Sequence, residues 1–242
     1  AIAAVAYGTK KIKPVNKVIG PGNQFVSAAK KEVSGDIGIE AMTAGPSEVL
    51  IVADKSSNPE WLASDLLGQA EHDQLAQCIL ISKDKNILEK TKKEVFEQLK
   101  NLPRSSIAKK SLMMNGILIY ANSDKKIIEI TNKIGPEHLE LNIKNYKSFV
   151  AKIKNAGSVC LGKYAVMAMT DYGAPGSNHV LPTDSSSKYS SGLNVSEFMK
   201  KISYITLSKK GIDKLGPSVI TLANYEGLQG HAQSIVKRIR RK

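Results

Sequence analysis

The sequence has little of what marks several other protein classes. It has two cysteines in 242 residues, Cys78 and Cys160, both inside apolar runs. That excludes a disulfide framework, and the pair reads as buried thiols of a reducing compartment. No apolar run approaches the ~20 residues that span a bilayer, and no basic-then-apolar signal segment opens the chain. The expected location is therefore the cytoplasm. Aromatic residues make up 5% of the chain, too few for a base-stacking surface. Arginine is scarce as well: of 35 basic residues only Arg104, Arg238, Arg240 and Arg241 are Arg. The net charge of +13 would suit nucleic acid, but the lysines are spread along expected helix faces. They read as a solvated surface with a basic C-terminal tail, and a non-catalytic nucleic-acid or partner-binding module is the distant alternative. An initiator Met is lacking. Ala1 to Gly8 reads as the last turns of a helix stopped by Gly8, so a portion preceding Ala1 is expected to be missing.

Apolar, β-branched runs alternate with helical patterns. Strands are expected at residues 17–19, 37–41, 49–53, 77–81, 116–120, 158–161 and 202–207. Helices are expected at 24–33, 86–102 and 124–134. A further helix starts at Asn58-Pro59-Glu60, with an Asn cap and Pro at its first position, and buries Trp61, Leu62, Leu66 and Leu67. Residues 189–201 read as a Gly turn plus a helix, and 209–222 as a helix broken at Gly216-Pro217. The last helix carries Leu228, Ala232, Ile235, Val236 and Ile239 on one face, to dock on its own body or on a partner subunit. This alternation means an α/β fold of mostly parallel sheets flanked by helices, followed by a small helical segment. The expected division is an α/β nucleotide- and substrate-binding region at 1–185 and a mainly helical segment at 186–242.

The richest polar stretch is residues 171–183, where Asp171, Asn178 and His179 share a turn-forming segment. Fixed polar side chains on an irregular backbone point to chemistry rather than packing. Other candidates are Gly20-Pro21-Gly22-Asn23 between a strand and a helix, Ser47 in the tight turn Ala44 to Glu48, Gln69 and His72 at a helix end, Glu137-His138 after a Gly-Pro break, and Glu226 with His231. Taken singly, each has a plain reading: a βα turn, a surface pair, a capping Glu with a partly buried His. Together the four histidines, His72, His138, His179 and His231, all fall in polar clusters beside turns or helix ends. A joint site is the economical reading. Gln69, His72, Asp171 and His231 offer imidazole and oxygen donors without thiolate, a set suited to Zn²⁺. Glu137 and His138 remain as proton-transfer groups presented at a strand end, where open α/β sheets place chemistry. His179 and Glu226 can bind polar parts of a substrate, and the glycine turn can hold a nucleotide.

Six motifs in this order resemble the histidinol dehydrogenase family over the whole chain: Gly20-Pro21-Gly22-Asn23, Ala44-Gly45-Pro46-Ser47-Glu48, Gln69-Ala70-Glu71-His72, Gly135-Pro136-Glu137-His138-Leu139-Glu140, Asn178-His179-Val180-Leu181-Pro182-Thr183 and Glu226-Gly227-Leu228-Gln229-Gly230-His231. The resemblance implies oxidation of L-histidinol through an aldehyde to L-histidine, with reduction of two NAD. It implies incomplete Rossmann-like sheets and one Zn²⁺ per subunit on Gln69, His72, Asp171 and His231. It makes His138 the general base and Glu137 the activator of water. Ser47, His179 and Glu226 become substrate contacts beside the zinc ligands and His138, and Asn23 contacts NAD. It further implies a homodimer in which His231 and Glu226 act in trans. The chain departs from the family pattern at Tyr164-Ala165-Val166-Met167, where Tyr-Thr-Pro-Glu is usual, and in one extra residue between Asp171 and His179. A relative that oxidises another polar amino or hydroxy alcohol is the alternative reading.

Overall fold

The computed structural model describes residues 1–40, 45–173 and 178–239. Ala41 at the end of an expected strand, Ala44 of the tight turn, Ala174 to Ser177 of the polar loop, and Arg240 and Arg241 of the basic tail lie outside the described residues.

The chain forms two compact units, Ala1–Phe198 and a second one beginning at Met199. In the first, α1 (Ile2–Tyr7) is followed by β1 (Lys17–Val18), α2 (Gln24–Glu32) and β2 (Gly38–Ile39). The large sheet is then built from β3 (Glu48–Ala53), α3 (Pro59–Ala70), β4 (Gln77–Ser82), α4 (Lys85–Leu99), α5 (Ser105–Asn115), β5 (Gly116–Tyr120), α6 (Asp124–Ile134), β6 (His138–Asn142), α7 (Lys147–Val150), β7 (Ser158–Leu161) and α8 (Met167–Tyr172). The second unit contains α9 (Lys209–Tyr225) and α10 (Gln229–Ile239).

Five strands lie in the order β5-β4-β3-β6-β7, all parallel, while β1 and β2 form a separate parallel pair. The first strand of the large sheet is central and the chain winds outward from it twice, as in Rossmann-like folds. Helices cover both faces, so β3 and β4 read as unbroken apolar runs. Val49, Ile51 and Leu80 face one way, onto Leu62 and Leu66 of α3 and Val95 of α4. Leu50, Val52, Ile79 and Ile81 face the other, with Leu139, Leu141, Ile127 and Phe149. Both cysteines are free and buried.

Local chemistry sets the ends. Asn58 caps α3 by accepting from the Glu60 N–H at 2.9 Å, with Pro59 in the first turn. Ser123 caps α6, and Gly135 ends it in the left-handed conformation. Past Leu181 the chain stays on the first unit. Ser187 Oγ donates to the Gly135 carbonyl at 2.9 Å, and Ser185 Oγ donates to that of Ile134. The first unit therefore runs on to Phe198.

Several local expectations are corrected. Trp61 is exposed and stacks at a tilt on Tyr164, 6.1 Å between centroids, because the buried stripe of α3 is Leu62, Ala63, Leu66, Leu67 and Ala70. Residues 189–201 hold a short 3₁₀ turn at Val195–Phe198 instead of a helix. Residues 202–207 form no strand, since among the described residues no strand takes up their backbone hydrogen bonds. Helix α9 runs through Gly216-Pro217 unbroken. Gly216 there admits α10: a Cβ on it would lie 2.9 Å from Ile235 Cγ2. The apolar stripe of α10 thus docks on α9. Helix α5, not anticipated, fills the stretch between α4 and β5.

Candidate functional site

Parallel register decides where the site forms. Val49 pairs with His138, so the amino-terminal ends of β3 and β6 lie side by side. Glu48 opens β3 and His138 opens β6, with Glu137 just before it. Glu137 and His138 thus sit at a strand end as expected, but at the amino edge rather than the carboxyl edge that open α/β sheets usually use. The Gly135-Pro136 break ends α6 close to β6, which leaves the two residues at the strand's entry.

Both are buried, His138 at 5% and Glu137 at 7% exposure. Glu137 Oε2 accepts from the Glu48 N–H at 3.0 Å, and Ser47 also hydrogen-bonds to the Glu137 carboxyl. Burial pushes Glu137 up to about 7; the Glu48 N–H bond opposes this, and the charges of Glu48 and Asp171 add to it. Glu48 is likewise raised to about 7, chiefly by burial. His138 Nε2 lies 3.9 Å from Glu137 Oε1, and its Nδ1 is buried without a hydrogen-bond partner among the described residues. Burial holds the His138 ring below the usual histidine range. The Asp171 carboxylate opposes that shift, while His72 and His179 reinforce it. His138 is therefore a neutral imidazole near neutral pH, fit to receive a proton.

The same interactions bring Asp171, His72 and His179 within electrostatic reach of His138. Asp171 is in the last turn of α8 rather than in an irregular loop, and Tyr172 beside it meets the His179 ring edge-on at 6.3 Å. Gln69 is 1% exposed, and among the described residues neither its buried amide Oε1 nor its Nε2 has a hydrogen-bond partner. His72 follows the end of α3 and is exposed, as is His179. Among the described residues no three His, Cys, Asp or Glu side chains form a ready metal cluster. Within the first unit the proposed ligand set contributes only His72 and Asp171 of those types, with Gln69 as an amide donor. His231 lies in α10 and Glu226 caps α9, both exposed in the second unit. Asn23 uses its side chain to cap α2, accepting from the Phe25 and Val26 N–H groups at 3.1 Å each.

Sequence reasoning missed the acids beneath the cluster. Glu140, 1% exposed, accepts from the Met167 N–H at 2.7 Å and hydrogen-bonds with Asp65 of α3. Burial raises both carboxyls, which keeps a proton between them. The signal was a charged residue inside the apolar run Leu139-Glu140-Leu141. Met167, where a Glu is usual, is buried with its methyl 3.8 Å from the Cβ position of Gly68. Glu140 holds its backbone.

The family profile for histidinol dehydrogenase matches residues 1–239. The chain is 75% identical over 242 residues to histidinol dehydrogenase of Pelagibacter ubique, covering all of this chain and 56% of that protein. It is 47% identical over 234 residues to the Listeria monocytogenes enzyme of that name, covering 97% of this chain and 54% of that one. The crystal structure of histidinol dehydrogenase from Elizabethkingia anophelis superposes with a TM-score of 0.92 at 42% identity, over 98% of this chain and 55% of that one. The chain thus spans about half the length of the relatives it matches, and it belongs to the histidinol dehydrogenase family.

Proposed function

We propose that the protein oxidises L-histidinol through L-histidinaldehyde to L-histidine with two NAD, as a zinc-dependent cytoplasmic homodimer. The observation that carries this reading is the buried His138 beside Glu137, with Asp171, His72 and His179 acting on the same ring. Family membership supplies the substrate.

His138 takes the alcohol proton. Its burial keeps the ring neutral, and Nδ1, without a hydrogen-bond partner among the described residues, is the atom that accepts. Glu137 takes a proton from the water that adds to the aldehyde, and the hydrogen bonds from Ser47 and the Glu48 N–H orient its carboxylate. Asn23 and its glycine turn would hold NAD, which would supply the hydride acceptor for each oxidation. The fit to zinc rests on Gln69, whose unpartnered amide oxygen is a buried donor awaiting a cation, and on the imidazole and carboxylate donors His72 and Asp171. When bound by these three and His231, zinc would anchor the imidazole and amine of the substrate. His179 and Glu226 complete the substrate contacts, Glu226 and His231 coming from the partner subunit.

The test supplies the intact protein with L-histidinol and with a panel of polar alcohols while NADH is followed. Turnover of histidinol supports the proposal. No NADH from histidinol, with turnover of another amino or hydroxy alcohol, establishes the alternative substrate instead.

A further inference from the structure

The small unit β1–α2–β2 is the second place where the fold prepares a ligand site. The two strands are parallel, with Val18 paired to Ile39, so Gly20 and Glu40 leave from adjacent carboxyl ends. Gly20 has φ +139° and nothing within 4 Å of a Cβ position, so its face is open. At Gly22 a Cβ would fall 2.4 Å from Val26 Cγ1, so glycine lets the turn close onto α2. A glycine turn that faces open space and leads into a capped helix fits a dinucleotide.

Beneath the turn lies a buried ion pair. Lys30 of α2 and Glu40 are 8% and 7% exposed. Lys30 Nζ donates to the Gly20 carbonyl and to Glu40 Oε1. The Gly20 N–H donates to the same Oε1 at 3.3 Å. Both backbone polar groups of Gly20 are therefore held by this pair. Glu40 Oε2 is buried and has no hydrogen-bond partner among the described residues. A buried carboxylate oxygen without a donor is costly and calls for one. In a strand–turn–helix–strand unit, an acid at the end of the second strand meets the adenosine ribose of a bound dinucleotide.

We propose that Glu40 accepts a hydroxyl of the adenosine ribose on Oε2, that Lys30 positions Glu40 and the Gly20 turn through Oε1 and the Gly20 carbonyl, and that the pair makes the protein select NAD over NADP. This rests on reading the Gly20 to Asn23 turn as the dinucleotide site. A 2′-phosphate would face the Glu40 carboxylate, and like charges repel.

Binding of NADH and NADPH, read by fluorescence without substrate, tests the proposal in E40Q, in the doubly neutral K30M/E40Q and in N23A. KM for histidinol and the thermal midpoint are measured beside it. E40Q is expected to weaken NADH roughly tenfold, the worth of a hydrogen bond to a charged group. It should bind NADPH relatively better, with the histidinol KM in place. Removing one charge of a buried pair destabilises, whereas removing both is tolerated. If E40Q does not fold, the double variant therefore decides by the same ratio. An NADH-to-NADPH ratio equal to that of the unaltered protein, while N23A weakens NADH, overturns the role of Glu40 and leaves the turn as the dinucleotide site. Unchanged NADH binding in all three variants overturns the reading of the turn as well.

Discussion

His138 is the one histidine of four that the fold buries; His72, His179 and His231 are exposed. A ring inside the protein, held neutral by burial and bordered by a carboxylate, suits proton abstraction, while exposed rings suit ligation. H138N keeps the volume and removes the base. It is expected to lower kcat by about 10²- to 10⁴-fold without shifting the melting temperature, measured by initial rates and thermal scanning. E137Q should behave differently. With the amide unable to take a proton from water, aldehyde oxidation should fail while alcohol oxidation persists. Supplying alcohol and aldehyde separately and following NADH separates the two; equal losses on both would remove Glu137 from the water step.

At the scale of elements, the Asp65–Glu140 contact joins the three pieces that carry the site. Asp65 is one turn before Gln69 on α3, Glu140 is two residues after His138 on β6, and the Met167 N–H held by Glu140 opens α8, which carries Asp171. Both carboxyls are raised by burial, so the folded protein keeps a proton that the unfolded chain has already released. The pair's contribution to stability is therefore full in acid and is lost as pH rises above the ordinary carboxylate range and through about 6 to 8. E140Q, neutral at every pH, is expected to flatten that decline, read as unfolding free energy in urea against pH. A capping test belongs at this scale too: S123A removes the acceptor for the Lys126 N–H and should cost about 1 kcal/mol in the same titration. Most elements were legible from sequence because propensity and caps agree with the packing, as in α3 and α6. The failures have physical reasons. Residues 202–207 have strand composition, but among the described residues no strand pairs with them. Helix α9 runs on through Pro217, and the neighbouring Gly216 leaves room for Ile235 of α10, a tertiary contact that the Gly-Pro pair does not announce in sequence.

For the whole molecule, the parallel order β5-β4-β3-β6-β7 puts Glu48 beside the Glu137-His138 pair, although 89 residues separate Glu48 from Glu137. Glu226 and His231 lie in the second compact unit. The proposed dimer gives them a role across subunits, and complementation tests it. Mixing subunits carrying H138N with subunits carrying H231A should restore activity to about one quarter, since half of a random dimer population carries one intact site. Activity no greater than that of either variant alone would place His231 in its own subunit's site. The proposed zinc is tested by chelation, which should abolish turnover and lower the melting temperature, with added zinc restoring both.

The sequence by itself determined the residue types and their order: four histidines in polar clusters, six motifs, buried thiols, and strands alternating with helices. Those features depend on local pattern and carry the family resemblance. Which edge of the sheet bears the chemistry was decided only by tertiary structure, because register is a relation between strands distant in sequence. Burial settled the rest. A Glu within an apolar strand reads as an interruption in sequence. In the fold, Glu140 ties α3, β6 and α8 together, and Glu40 with Lys30 holds the backbone of Gly20. The energy of those contacts comes from desolvation and partner geometry, neither of which a linear sequence displays.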